Sequence, residues 1–254
     1  MEERMRRKGK VYLVGAGPGS PDLLTVKARR VLGKADVVLY DQLAGGVRDL
    51  LPAGAELIDC GKSGSQHTLE QDEIERTMVE KALQGKRVIR LKGGDPFLFG
   101  RGGEELEVLR REGIPVELVP GVSSAIAVPG CVGIPVTHRS YASEVVILTG
   151  HEDPAKEEST LDWGLLAKFR GTIVILMGVK NLSSIASCLV ARGKDPGTPV
   201  AIIERGLDPG QRVTTGPLGE IGEIGKRAGV RPPAIIVIGD VVSLYRGENL
   251  CGAK

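Results

Sequence analysis

The stretch Arg90-Leu-Lys-Gly-Gly-Asp-Pro-Phe-Leu-Phe-Gly-Arg-Gly-Gly-Glu-Glu105 decides how the rest of the chain is interpreted. Its five glycines lie between a predicted strand over 88–91 and a predicted helix over 104–111. Glycine has no Cβ, so the backbone of such a loop can approach a ligand closely. In α/β proteins, ligands usually bind at loops that follow the carboxyl ends of strands. The sequence therefore predicts a ligand site in loop 93–103.

The composition is that of an ordinary globular protein and excludes several classes of function. Of the 254 residues, 41% are hydrophobic and 26% are charged, while the net charge is +2 and aromatic residues make up 3%. We expect no nucleic-acid partner, because proteins that bind nucleic acid are usually basic and stack aromatic side chains on bases. The apolar runs are much shorter than the roughly 20 residues that span a membrane. We therefore expect a cytoplasmic protein without membrane contacts.

The cysteines and histidines show no spacing that is typical of a metal site. Metal ligands normally come in short, regular clusters, whereas the three histidines of this chain are scattered. We expect no protein-bound metal, and we interpret the cysteines as isolated thiols. The four cysteines are Cys60, Cys131, Cys188 and Cys251.

Strand and helix patterns alternate along most of the chain. Short runs rich in valine and isoleucine are followed by amphipathic stretches, which predicts an α/β fold with mostly parallel sheets. The pattern lapses between 120 and 143, and we place a domain boundary there. We expect a tail over 1–9, an N-terminal α/β domain over 10–122, a C-terminal α/β domain over 123–246 and a tail over 247–254. A strand over 212–215 is predicted to be antiparallel.

A second glycine loop follows the first predicted strand. Gly15-Ala-Gly-Pro-Gly-Ser20 approximates the fingerprint of dinucleotide-binding proteins, but Ser20 replaces its third glycine and Pro18 stiffens the loop. The following Pro21-Asp22 delays the helix, so a helix N-terminus would not lie directly on a pyrophosphate. A nicotinamide-dependent oxidoreductase built on this loop remains an alternative, but it leaves loop 93–103 unexplained.

Five stretches in order carry a more specific resemblance. They are Val14-Gly-Ala-Gly-Pro-Gly-Ser-Pro-Asp-Leu-Leu-Thr25, Tyr40-Asp-Gln-Leu43, the stretch from Arg90 to Glu105, Val119-Pro-Gly-Val-Ser-Ser124 and Gly133-Ile-Pro-Val-Thr-His-Arg139. They resemble the tetrapyrrole methylase family, in particular its members that methylate uroporphyrinogen III, and the resemblance covers residues from about 10 to 246. The resemblance implies two α/β domains, S-adenosylmethionine bound in the cleft between them, and a homodimer. It also implies methylation of uroporphyrinogen III on two ring carbons, which gives precorrin-2 by way of precorrin-1 for sirohaem and cobalamin synthesis.

The resemblance also implies roles for individual residues. Asp41 would be the catalytic base and Lys62 its acid partner, either as a proton donor or as an electrostatic partner. Gln42 stands where the family commonly has an arginine, which puts one clamp on the substrate's carboxylates in doubt. The residues implied to contact the cofactor are Pro18, Gly93, Gly94, Asp95, Leu98, Ser123, Ser124, Met177 and Gly206.

These roles agree with the chemistry of methyl transfer. Displacement at a sulfonium requires alignment and nearby oxygen acceptors rather than a metal. Asp41 is predicted at the carboxyl end of a strand, where a base could remove a proton from the methylated ring, although an aspartate there can also be structural. Asp95 could hold a polar group of the cofactor or could serve as a turn residue before Pro96.

The substrate is rich in carboxylates, whereas the chain is almost neutral, so positive charge must be local. The candidates for substrate binding are Lys92, Arg101 and Arg139, although each could equally be a solvated surface cation. Further alternatives remain open for the whole chain. These are a related methylase that acts on a later precorrin or on a protein group, and a metabolite-binding protein without catalysis.

Overall fold

The computed structural model of the protein describes residues 8–41, 46, 47, 49–61, 70–154 and 159–251. The chain divides into two compact units, with the boundary between Ser123 and Ser124. Within the described ranges, no helix is long and apolar enough to cross a membrane.

The first unit is built on a five-stranded sheet. Its elements are β1 (Lys10–Gly15), α1 (Val26–Leu32), β2 (Val37–Tyr40), β3 (Glu56–Asp59), α2 (Gln71–Leu83), β4 (Arg87–Lys92), α3 (Gly102–Arg111) and β5 (Val116–Val119). The strand order is β3-β2-β4-β1-β5, and all neighbouring strands are parallel. Because parallel strands share one direction, the loops that follow β1, β2, β4 and β5 all lie at the same edge of the sheet.

Helices cover both faces of this first sheet. Leu32 of α1 packs with Val38 and Ile89 on one face, while Met78 of α2 and Leu109 of α3 pack on the other. Every residue of β2 is buried. A strand that is covered on both faces requires such an uninterrupted apolar run, which is why the sequence pattern identifies it.

The second unit contains a mixed sheet. Its elements are α4 (Ser124–Cys131), β6 (Val145–Thr149), α5 (Trp163–Lys168), β7 (Thr172–Leu176), α6 (Leu182–Ala191), β8 (Pro199–Glu204), β9 (Arg212–Pro217), α7 (Ile221–Arg227) and β10 (Ala234–Ile238). The strand order is β6-β7-β10-β8-β9. Only β6 and β7 pair in parallel, and the other three pairs are antiparallel. The α/β fold class is confirmed, and so is the antiparallel strand over 212–215, but β10 makes the second sheet less parallel than expected because it lies between β7 and β8.

The lapse in the sequence pattern after residue 120 contains a helix. α4 carries Pro129 inside it, followed by Gly130. Proline removes a backbone donor from a helix and glycine lowers helix propensity, so these two residues conceal α4 from a pattern-based prediction. The helix is stabilised by burial, since Ala125 and Val128 are both buried.

A disulfide joins Cys131, at the end of α4, to Cys251. The prediction of isolated thiols is therefore wrong for these two cysteines, while Cys60 and Cys188 are free and buried. The N–H of Leu250 also donates to the carbonyl oxygen of Cys131 at 2.7 Å. Leu250 and Cys251 are thus attached to the second unit and are not part of a loose tail.

Candidate active site

Two glycine loops of the first unit meet at the carboxyl edge of its sheet. The N–H of Gly94 donates to the carbonyl oxygen of Gly17 at 2.7 Å, and the N–H of Gly17 donates back to Gly94 at 3.2 Å. This isolated antiparallel pair connects the loop after β1 to the loop after β4. Loop 15–20 and loop 93–103 therefore form one structural feature and not two separate sites.

Close packing of three backbones explains several of these glycines. A Cβ added to Gly15 would lie 2.5 Å from Cα of Gly121 and 2.6 Å from the carbonyl oxygen of Gly94. Gly94 itself has a φ of 67°, a left-handed conformation that glycine adopts without steric cost. The loops after β1, β4 and β5 can approach each other only because no side chain intervenes.

Asp95 links two of these loops through both carboxylate oxygens. Its Oδ1 accepts from the N–H of Phe97 at 2.8 Å, and its Oδ2 accepts from the N–H of Gly121 at 3.0 Å. The first bond closes a two-residue turn and the second reaches the loop after β5. The structure therefore shows Asp95 as a turn residue that also joins two loops, and its contact with the cofactor stays a prediction.

The end of loop 93–103 is exposed and conformationally constrained. Phe99 and Arg101 have positive φ angles of 53° and 58°, which are costly for residues with a Cβ. Arg101 precedes α3, and its exposed Nε lies 3.3 Å from Oε1 of Glu104. Its guanidinium is therefore accessible to solvent, and its role in binding an anionic substrate stays a prediction.

Asp41 follows β2 and belongs to a cluster of four charged side chains. Its Oδ1 accepts from Nη2 of Arg90 at 2.7 Å. Nε of Arg90 donates to Oε1 of Glu105 at 3.0 Å, and Nζ of Lys92 donates to the same oxygen at 2.7 Å. The side chain of Asp41 is 30% exposed, whereas that of Glu105 is fully buried. One end of the cluster therefore reaches the surface at Asp41.

The electrostatics of this cluster follow from burial and pairing. Burial alone would lower the pKa of Arg90, but the carboxylates of Asp41 and Glu105 outweigh it and raise that pKa. Burial, together with the charge of Arg90, lowers the pKa of Lys92, and Glu105 only partly offsets the change. Burial raises the pKa of the nearby Cys60 thiol to about 11. Cys60 therefore stays protonated at neutral pH and is a poor nucleophile.

The predicted site residues of the first unit differ in burial and in whether the structure describes them. Pro18, Gly93 and Leu98 are half-buried in the joined loops. Lys92 is buried and paired with Glu105, so its ammonium group is not exposed to a substrate carboxylate in this structure. Lys62 lies outside the described residues, as does Gln42.

Two loops of the second unit carry the remaining predicted cofactor residues. Met177 follows β7 and Gly206 follows β8, and these strands end at the same edge because both run antiparallel to β10. Met177 has a φ of 56°, while Gly206 lies between Arg205 at 49° and Leu207 at 67°. Non-glycine residues in this conformation collect at functional loops. A Cβ on Gly206 would overlap the side chain of Val128 in α4.

Ser123 ends the first unit and Ser124 begins α4. Arg139 is exposed in a turn closed by His138 and Ala142, whose N–H groups donate to each other's carbonyl oxygens at 2.8 and 2.9 Å. Like Arg101, it is available to an anion.

The first unit suits a sulfonium donor. From Gly93 to Leu98 there is no basic side chain, so a bound cation would meet carbonyl oxygens and apolar groups without repulsion. In the second unit, the half-exposed Met177 offers a polarizable, apolar surface. The residues present are therefore compatible with S-adenosylmethionine.

Sequence reasoning missed Arg90 and Glu105 as members of the site. One signal was available: Arg90 and Lys92 are two residues apart in a strand, which places both on one face of the sheet. Two cations on the same face of a buried strand require a buried acid nearby. Nothing local identifies Glu105 as that acid, because Glu104 precedes it and only the helix orientation distinguishes them.

Known proteins match nearly the whole chain. A model of the Tetrapyrrole (Corrin/Porphyrin) Methylases matches residues 10–222. An S-adenosyl-L-methionine-dependent uroporphyrinogen III methyltransferase of Methanosarcina barkeri is 59% identical over 96% of this chain and 97% of that protein. A uroporphyrinogen-III C-methyltransferase of Methanocaldococcus jannaschii is 49% identical over 94% and 99%.

A solved structure agrees with these relatives. The crystal structure of uroporphyrin-III C-methyltransferase from Thermus thermophilus, complexed with S-adenosyl homocysteine, is 42% identical. It superposes with a TM-score of 0.80 and covers 93% of this chain and all of that one. The family match, the high identities and the shared fold together establish that this chain belongs to the tetrapyrrole methylase family.

Proposed function

We propose that this chain is an S-adenosylmethionine-dependent methyltransferase that acts on uroporphyrinogen III. It transfers a methyl group to each of two ring carbons, giving precorrin-2 by way of precorrin-1, a product that serves sirohaem and cobalamin synthesis. Two relatives of nearly the same length are named as methyltransferases of uroporphyrinogen III. The observation that carries the proposal is the position of Asp41, a partly exposed carboxylate held by Arg90 beside the joined glycine loops.

Proton removal is the step that the protein's own residues must perform. A bound donor would supply an electrophilic methyl carbon; the electron-rich pyrrole carbon of the substrate would take it as the carbon–sulfur bond breaks and S-adenosylhomocysteine leaves. The methylated ring is then cationic and must lose a proton to become neutral. The Asp41 carboxylate accepts that proton, because its orientation is set by the bond to Arg90 and 30% of it faces solvent. Lys62 completes the pair as an acid or as an electrostatic partner.

Binding of the methyl donor is assigned to the glycine loops and to the left-handed loops of the second unit. Gly93 and Gly94 present backbone groups, and Pro18 and Leu98 line them with apolar surface. Asp95 keeps the loop in shape through Phe97 and Gly121. The second-unit and boundary contacts are Ser123, Ser124, Met177 and Gly206.

Binding of the tetrapyrrole carboxylates is assigned to exposed cations. Arg101 and Arg139 are the candidates, because both guanidinium groups are accessible. Lys92 is buried against Glu105 and is better placed to support the charged cluster than to meet substrate. The homodimer and the cytoplasmic location remain predictions; sedimentation of the pure protein tests the first.

Anaerobic incubation with methyl-labelled S-adenosylmethionine and uroporphyrinogen III tests the proposed function. We expect label in a product that carries two methyl groups. Asp41→Asn should bind the methyl donor normally but lose about a hundredfold or more in turnover, which is typical for loss of a general base. Asp36→Asn is the matched control, because Asp36 lies at the opposite end of the same strand. Label transfer only to a later precorrin, or tight nicotinamide binding without transfer, contradicts the proposal.

A further inference from the structure

Among the described residues of the first unit, Glu105 is the most deeply buried charge, and it has no role in the proposed chemistry. Its side chain is fully buried in α3, and its Oε1 accepts from both Arg90 and Lys92. Gln71 of α2 adds a longer contact to the same oxygen at 3.4 Å. Among the described residues, its Oε2 has no hydrogen-bond partner. Within the described part of the chain, all hydrogen bonds to this carboxylate are therefore accepted by one oxygen.

Stability alone does not explain this arrangement. Arg90 and Lys92 have side chains that are 3% and 4% exposed, and removing such charges from water costs several kcal/mol each, by order of magnitude. Apolar residues of similar volume often give equal or greater stability. A buried ion cluster at the edge of a sheet is better explained by what it holds in place.

Arg90 connects the buried end of the cluster to the exposed end. Its Nε contacts Glu105 and its Nη2 contacts Asp41, at 3.0 and 2.7 Å. A guanidinium is planar and rigid, so fixing Nε also fixes the direction in which Nη2 points. Lys92 balances the second negative charge. Beyond its four members, the titratable groups near the cluster are Cys60, Asp59 and Glu75, of which Glu75 shares Gln71 with Glu105.

We propose that Glu105 is a positioning residue that orients Asp41 through Arg90. Glu105 holds Nε of Arg90, Arg90 presents Nη2 to Oδ1 of Asp41, and the carboxylate of Asp41 is thereby aimed at the substrate side. The catalytic half of this inference rests on the proposed function. The positioning half does not, because it concerns contacts within the protein.

Glu105→Gln separates charge from shape. The amide oxygen can take the position of Oε1, but a neutral acceptor holds Arg90 and Lys92 less firmly than a carboxylate does. The NH₂ group takes the position of Oε2, which has no donor among the described residues. The matched control is Glu107→Gln, an exposed glutamate on the same helix. Two NMR signals report the geometry without any turnover: the Nε–H of Arg90 and the side-chain carboxyl carbon of Asp41. Their assignments come from their loss in Arg90→Lys and Asp41→Asn.

We expect Glu105→Gln to shift both signals and Glu107→Gln to shift neither. In an Arg90→Lys background, Glu105→Gln should no longer move the Asp41 signal, because the connection is already broken. With uroporphyrinogen III, kcat should fall about tenfold through lost alignment, while KM and the affinity for S-adenosylmethionine stay within about twofold. If Glu105 had a purely structural role, the substitution would lower stability, kcat and the affinity for S-adenosylmethionine together.

An Asp41 signal that is unchanged in folded Glu105→Gln overturns the proposal. So does an equal loss of kcat and of donor affinity. If Glu105→Gln does not fold, Arg90→Lys decides: a lysine lacks the planar fork that holds the two acids through separate nitrogens, so an unmoved Asp41 signal in that variant refutes the connection. If the wild-type protein transfers no methyl group, the proposed function fails, and the NMR signals alone decide whether Glu105 positions Asp41.

Discussion

Asp95→Asn tests whether the geometry of loop 93–103 depends on a bond between loops or on a bond to a ligand. In the structure, both carboxylate oxygens of Asp95 accept backbone N–H groups, from Phe97 and from Gly121. An asparagine can keep the bond to Phe97 through its amide oxygen. Its NH₂ group would then face the N–H of Gly121, so two donors would meet and neither would be satisfied.

The magnitude follows from that single lost bond. A hydrogen bond to a charged acceptor contributes about 1.5–3 kcal/mol, and an unsatisfied buried N–H costs a similar amount. Since Asp95 is only half-buried, we expect a loss of about 1–2 kcal/mol in the free energy of unfolding. With an m-value of about 2 kcal/mol/M, the urea midpoint falls by about 0.5–1 M. Circular dichroism against urea concentration measures this midpoint, and calorimetry measures the affinity for S-adenosylmethionine.

Asp195→Asn is the matched control. Oδ1 of Asp195 accepts from the N–H of Gly197 at 2.8 Å, which is the same two-residue turn, and within the described ranges it makes no second bond to a distant loop. That substitution should change stability by less than about 0.5 kcal/mol. Equal midpoints for the two variants would refute the reasoning. Lost affinity with unchanged stability in Asp95→Asn would restore Asp95 as a direct ligand contact.

Three further outcomes can be measured. Thiol titration of the unfolded protein should find two thiols before reduction and four after it, and four before reduction would contradict the disulfide. Burial acts to raise the pKa of Glu204, but its bonds from Arg212 and a backbone N–H outweigh this and lower that pKa below its ordinary 4.5. The ionised Glu204 carboxylate therefore stabilises the fold above pH 4.5, and this contribution is lost as the pH falls further and the carboxylate becomes protonated. The urea midpoints of wild type and Glu204→Gln should therefore converge in acid and stay apart in alkali. Gly206→Ala should lower the free energy of unfolding by about 1–3 kcal/mol through overpacking, because the new Cβ overlaps the side chain of Val128. Adding Val128→Ala to that variant should restore part of the loss, and urea unfolding that shows no restoration would contradict this explanation.

Much of the fold is predictable because its signals are local. Val37–Tyr40 is apolar at four consecutive positions, which identifies a buried parallel strand. The glycines from Gly93 onward mark a loop where backbones meet, and motif order identifies the family. α4 is not predictable in this way, since Pro129 and Gly130 are poor helix formers and tertiary burial overrides them.

The candidate site was predicted in part. Asp41 follows from its place after a strand, because the carboxyl ends of parallel strands share one edge. Its partner Arg90 does not follow, because the spacing of Arg90 and Lys92 indicates a buried acid on that face of the strand but not which acid it is. Asp95 was left between a ligand contact and a turn residue. The structure shows the turn through Phe97 and adds a bond to Gly121, 26 residues away, which no local signal predicts.

By itself, the sequence determined the α/β class, the glycine loops, the family and the residue types available for methyl transfer. These depend on side-chain periodicity and on short motifs, which act over a few residues. Only the tertiary structure decided that Glu105 joins Arg90 to Lys92, that Cys131 pairs with Cys251 across 120 positions, and that β10 lies between β7 and β8. Such contacts depend on how distant elements pack, since each buried charge, thiol or strand edge finds its partner in space and not along the chain.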